Sequence, residues 1–129
     1  VSGYQYIATP YTVFIPEVLP CAKELYVKEK LEDRVKLAAR ACRRMLLQGG
    51  FPFSPIVHGH YIEVLGGGTV PYDTWMKHSF EMLRKSSAFY ILTLEGWQAS
   101  KGVAAEKEYA QRHGIPVGYL NADTWCKEE

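Results

Sequence analysis

The sequence predicts an α/β domain built as a three-layer α/β/α sandwich with a four- to five-stranded parallel sheet. Three observations lead there. Short apolar or β-rich runs at 4–9, 51–56, 88–94 and 115–120 alternate with helical patterns. The stretch from Lys23 to Gln48 keeps helical spacing throughout. The chain has 129 residues, enough for one domain with a real core and too few for two, so 1–129 is read as a single unit.

Taken in order, Tyr4-Gln5-Tyr6-Ile7-Ala8-Thr9 is rich in β-formers and is read as the first strand, ended by Pro10. Residues at the carboxyl ends of parallel strands face the ligand crevice, which singles out Tyr6, Thr9 and Tyr11. A half-buried strand aromatic would account for Tyr6 equally well. In the long helix, Leu31, Val35, Ala38, Cys42 and Met45 form the apolar stripe, and Gly49-Gly50 stops it. Phe51 to Ile56 is read as a second strand, kept short by Pro52 and Pro55.

Val57 to Tyr72 is read as a long Gly-rich connection. His58 and His60 flank a glycine there, and a loop histidine touching substrate or backbone is the expectation. With no third clustered ligand, no metal is expected. Gly66-Gly67-Gly68-Thr69 lacks the lysine of a P-loop. Asp73 or Thr74 is expected to cap the next helix, which turns Trp75, Met76, Phe80 and Leu83 inward and runs to about Ser86. Asp73 has two readings: an N-cap, or a general acid at the mouth of a crevice. After the strand Ala88 to Leu94, Ser100 caps a helix through Gln111, and 115–120 forms the last strand. The tail is polar apart from Trp125, which is expected to dock on a neighbouring subunit.

Composition excludes several classes. Hydrophobic residues make up 47% and charged residues 22%, an ordinary globular balance. A net charge of +1 offers no electrostatic footprint for polymeric nucleic acid or a membrane surface. Three cysteines, Cys21, Cys42 and Cys126, show neither CxxC nor Cys-His spacing, so a reducing cytoplasm is the expected location. No apolar run has membrane-spanning length, and no signal-peptide pattern opens the chain.

The stretch Glu95 to Glu106 carries the sharpest functional signal. A buried strand runs into a turn, and the turn into a capped helix. Val103 and Ala110 mark the inward stripe of that helix, and Glu106 falls on the same stripe. An inward carboxylate is costly unless it is paired or solvated. Gly102 lies one turn earlier and has no side chain to cover it, and the bare amides of the helix start favour an anion. A solvated surface glutamate with Gly102 as a plain loop residue would fit the same spacing. The pattern leaves both open.

Tyr6-Ile7-Ala8-Thr9-Pro10-Tyr11, Phe53-Ser54-Pro55-Ile56 with His58-Gly59-His60, and Gly96-Trp97 followed by Ser100, Gly102-Val103 and Glu106 resemble the nucleoside 2-deoxyribosyltransferase-like superfamily. The closest flavour is a small branch of uncharacterised bacterial and phage domains, with the 2′-deoxynucleoside 5′-phosphate N-hydrolases as relatives. The resemblance runs from Tyr4 to Leu120 and implies a Rossmann/flavodoxin-like arrangement. It implies that Glu106 is the nucleophile on the anomeric carbon, that Tyr6 orients it, and that Asp73 assists the departing base or contacts the sugar. Ser100, with Gly102 beside it, would bind a 5′-phosphate. Thr9, Tyr11, His58, His60, Trp75, Gly96 and Trp97 would complete the substrate crevice. The expected partner is a small-molecule nucleoside or nucleotide, with no cofactor, and the chain is expected to form a homo-oligomer, dimer or tetramer. One position departs from the pattern. Family members often carry an aspartate just before the third strand, where this chain has Ser86-Ser87.

Two functions follow as expectations. The first is an enzyme cleaving the N-glycosidic bond of a nucleoside or nucleotide, by hydrolysis or base transfer. The second is a non-catalytic sensor binding a nucleotide or ADP-ribose-like ligand, a reading that Ser86-Ser87 strengthens. A lysine-decarboxylase-like phosphoribohydrolase fits less well, because no glutamate follows Thr69 at the expected spacing.

Overall fold

A computed structural model describes residues 3–10, 23–67 and 70–128. Tyr11, Cys21, Gly68 and Thr69 lie outside the described residues. Four parallel strands, β1 (Gln5–Ala8), β2 (Pro52–Phe53), β3 (Ala88–Leu92) and β4 (Val117–Leu120), form one sheet in the order β2-β1-β3-β4. Among the described residues, five helices flank it: α1 (Lys23–Leu47), α2 (Pro55–Leu65), α3 (Tyr72–Arg84), α4 (Lys101–Arg112) and α5 (Ala122–Trp125). The α/β class and the parallel sheet are as the alternating pattern predicts.

Strand alternation divides the core into two layers. Ile7, Leu92 and Leu120 face one way and pack with Val35, Ala38, Ala41 and Met45 of α1. Tyr6, Ala8, Phe89 and Ile91 face the other way, onto Leu83 of α3 and onto Val103 and Ala110 of α4. The α1 stripe is therefore the one that its spacing marks, with Leu31 and Cys42 half-buried at its margin. Burial pushes the Cys42 thiol up to about 11, so it stays protonated and inert. Among the described residues, no helix is long and apolar enough to cross a membrane.

Three expectations are corrected. The second strand is only Pro52–Phe53, and the supposed loop after it is mostly the helix α2. Ser54, in extended conformation, accepts a hydrogen bond from the Val57 amide at 3.3 Å, and Pro55 fills the first helical position, where its missing N–H costs nothing. Gly59 sits inside this helix because the Trp75 ring needs the room: a Cβ there would stand 3.3 Å from the indole. Apolar residues lie all round α2, so it shows none of the one-sided spacing by which a helix is recognised.

Helix α3 starts at Tyr72 with Pro71 as N-cap, so neither Asp73 nor Thr74 caps it. The Pro71 carbonyl accepts from the Thr74 and Trp75 amides, and the fixed proline φ sets the entry. It ends at Arg84 rather than at Ser86. The tail folds back as α5, capped by Asn121, whose Oδ1 accepts from the Asp123 amide at 2.9 Å. Trp125 is half-buried against the α1 side of the core, and Cys126 is buried beside it. Part of the ring is thus covered by its own chain.

Candidate active site

The strand order reverses between β1 and β3, the place where open parallel sheets leave a crevice at their carboxyl ends. Tyr6 stands on β1 with no exposed surface, stacked on Phe89 at 5.8 Å between ring centroids. Its hydroxyl donates a hydrogen bond to Oε2 of Glu106 on α4. The stripe inferred from sequence is the cause: Val103 and Ala110 are buried, and Glu106, between them, is carried inward to Tyr6.

The electrostatics follow from burial. The Glu106 carboxyl is pushed up to about 7 by desolvation, with the Tyr6 hydrogen bond pulling the other way. The Tyr6 phenol is pushed well above its ordinary value, first by burial and then by the Glu106 charge and hydrogen bond. Ser79 of α3 opposes that rise. Tyr6 therefore remains a proton donor across the physiological range, and Glu106 switches charge near neutrality.

The start of α4 is arranged as its sequence suggests. Ser100 is buried and accepts from the Val103 amide at 3.2 Å, so its hydroxyl oxygen is engaged as an N-cap while its own proton can still be donated. Among the described residues, a Cβ on Gly102 would meet only Ser100 Oγ, at 3.9 Å, so they leave the space above that turn open. Gly96 has φ of 88°, a left-handed turn that favours glycine, and it leads into a short 3-10 turn at Trp97–Ala99. Trp97 is half-buried, edge-on to Tyr119 at 5.6 Å. Thr9, just beyond β1, is buried, and its hydroxyl has no hydrogen-bond partner among the described residues. That leaves it a candidate for a ligand contact.

Other nominated residues are not brought to the pair in the same way. Asp73 is exposed in the first turn of α3. It lines an open groove of about 570 Å³ with Met76, Lys77, Phe80, Glu81 and Tyr109, to which neither Tyr6 nor Glu106 contributes. His58 and His60 stand two positions apart on α2, on different sides of the helix, so they do not converge on one ion. Among the described residues, no group of three side chains could hold a metal. His60 lies edge-on to Tyr61, and the Trp75 indole N–H donates to Glu63.

Ser86 and Ser87 lie before β3, at the end of the sheet away from the crevice. Ser86 Oγ donates to the Leu83 carbonyl at 2.7 Å, and Ser87 Oγ to the Tyr4 carbonyl at 3.0 Å.

Two residues were not legible from sequence. Ser79 is a mid-helix serine with no motif around it, and only the approach of α3 to β1 brings its influence to the Tyr6 phenol. His78, beside it, stacks on His58 with centroids 5.2 Å apart and planes 5° from parallel.

The family model described as a domain of unknown function, DUF1937, matches residues 3–122, and the chain belongs to that family. The match includes both Tyr6 and Glu106. No curated protein matches the chain.

Proposed function

We propose that this member of the DUF1937 family cleaves the N-glycosidic bond of a (deoxy)nucleoside or nucleoside 5′-phosphate, with Glu106 as the nucleophile. The observation that carries the reading is the bond between the Tyr6 hydroxyl and the Glu106 carboxylate on the inward face of α4. One carboxylate oxygen is held by Tyr6, and the other is left for the anomeric carbon. Burial strips water from the carboxylate, and a desolvated anion attacks more readily than a hydrated one. Gly102, one turn before Glu106, has no side chain, and among the described residues a Cβ there would meet only Ser100 Oγ, which supports access of a sugar from that side. Ser100 and the start of α4 suit a 5′-phosphate. Water then resolves the glycosyl-enzyme in hydrolysis, or a second base does so in transfer.

The test is a chromatographic screen of deoxynucleosides and deoxynucleotides for released base, with Glu106→Ala as control. Base release that survives in Glu106→Ala removes Glu106 from the mechanism.

A specific observation favours a second reading, a non-catalytic sensor for a nucleotide or ADP-ribose-like ligand. Asp73, the second carboxylate nominated from sequence, is exposed on another groove. Saturable binding without product after long incubation would favour this reading.

Self-association, which the resemblance implies, is supported by Tyr61, Val64 and Leu65, exposed apolar residues on one face of α2. Sedimentation velocity would test for a dimer or tetramer.

A further inference from the structure

An N-glycosidic bond breaks readily only when the departing base receives a proton, because a purine or pyrimidine anion is a poor leaving group. The acids at hand do not serve. Asp73 faces the groove with Phe80 and Tyr109. Glu63 already accepts from the Trp75 indole and, at 3.1 Å, from the Val70 amide.

What α2 and α3 do bring together is a pair of imidazoles. His58 and His78 stack in parallel, and both rings rest on Phe53, with centroids at 5.5 and 6.2 Å. Phe53 in turn packs on Tyr6 at 5.8 Å. A continuous run of rings thus joins the histidines to the residue that holds Glu106. His78 is half-buried on its inner side, edge-on to Trp75, and His58 is exposed. Imidazole both gives and takes a proton near neutrality, so it suits an acid that must be reset each turnover.

Resting on the cleavage reading above, we propose that His78, stacked on His58, is the acid that protonates the leaving base. The C1′–N bond breaks with its electron pair passing to the base nitrogen. The His78 imidazolium gives that nitrogen its proton while a Glu106 oxygen bonds to C1′. In the second half, water displaces Glu106 from C1′, and neutral His78 takes the proton that the water loses. Exposed His58 forms the solvent side of the stack.

The test compares 2′-deoxyguanosine 5′-phosphate with its 7-methyl derivative, whose base already carries positive charge and departs neutral without a proton. His78→Gln lowers kcat/KM on the unmethylated nucleotide by at least about 100-fold and on the methylated one by no more than about 3-fold. Glu106→Gln lowers both alike. Losses of equal size on the two substrates in His78→Gln, or no loss on either, overturn the proposal. Wild-type protein that cleaves neither nucleotide overturns the cleavage reading beneath it, which is a different result.

Should His78→Gln fail to fold, the wild type alone decides. Above the rising limb that Glu106 sets near 7, raising the pH further suppresses cleavage of the unmethylated nucleotide and spares the methylated one. Parallel profiles overturn the assignment. The titratable group in ring contact with His78 is His58; Glu63 lies one contact further, behind Trp75, and Tyr6, which holds Glu106, one contact further, behind Phe53.

Discussion

The Tyr6 hydroxyl donates a hydrogen bond to the Glu106 carboxylate, joining two residues 100 positions apart in the chain. Tyr6 is wholly buried on the central strand pair, so the tyrosine is the fixed partner and the glutamate is brought to it by α4.

Tyr6→Phe keeps the ring stacked on Phe89 and removes only the donor. The carboxylate loses the interaction that lowers its pKa, so Glu106 shifts further upward. The rising limb of the pH–rate profile, which depends on ionised Glu106, sits near 7 in the wild type and moves to higher pH in the variant. Stability falls by about 1–3 kcal/mol, the cost of a buried polar partner left unsatisfied. Urea melts and a pH–kcat/KM series check both. An unmoved limb would mean that Tyr6 does not act on Glu106.

Glu106 also makes stability depend on pH. Its carboxyl stands at about 7 in the folded protein against an ordinary 4.5, so the folded state holds the proton more tightly. The contribution is complete below 4.5, is lost as pH rises through 7, and is flat above that. Glu106→Gln, which never ionises, lacks this loss. Between pH 4 and pH 8 the variant gains roughly 3 kcal/mol relative to wild type, the size of the shift in free energy. Denaturant curves at the two pH values read the difference. A gap independent of pH would place the carboxylate in water.

Gly102 separates folding from function. Its absent Cβ has open space around it, so Gly102→Ala keeps the fold and changes stability by no more than about 1 kcal/mol, in the favourable direction for a helix. Gly102→Leu puts a branched side chain over the turn before Glu106. Its melting point stays close to that of the wild type, while substrate release of base falls by about tenfold or more. Full activity in Gly102→Leu would show that the sugar lies elsewhere.

Two serine caps make a matched pair. Ser54→Ala and Ser100→Ala each remove an N-cap acceptor and cost about 1 kcal/mol. Only Ser100→Ala raises KM for nucleoside 5′-phosphates while leaving the plain nucleosides unaffected. Equal KM values for both substrate types would confine Ser100 to its capping role.

Much of this architecture could be read from residue order. The stripes Val35, Ala38 and Met45 in α1 and Val103 and Ala110 in α4 are buried as their spacing implies, because a one-sided apolar helix has one way to meet a sheet. The inward Glu106 is one of the two readings that its spacing left open, and its pairing with Tyr6 was implied by the family resemblance, not by spacing. Helix α2 was not: its residues are apolar on all sides, and its tolerance of Gly59 depends on Trp75, a partner from another element.

Asp73 shows the limit of local pattern. An acid near a helix start reads as a cap or a catalyst, yet Pro71 sets the entry of α3, and the first turn points Asp73 outward. Local chemistry in the chain, caps, periods and side-chain sizes, determined the parallel α/β fold and the carboxylate on the inner face of α4. Tertiary packing alone decided that Phe53 joins Tyr6 with the His58–His78 pair behind it, and that Asp73 does not join it. Such meetings depend on how separate elements dock, and no spacing within one element encodes the distance to another.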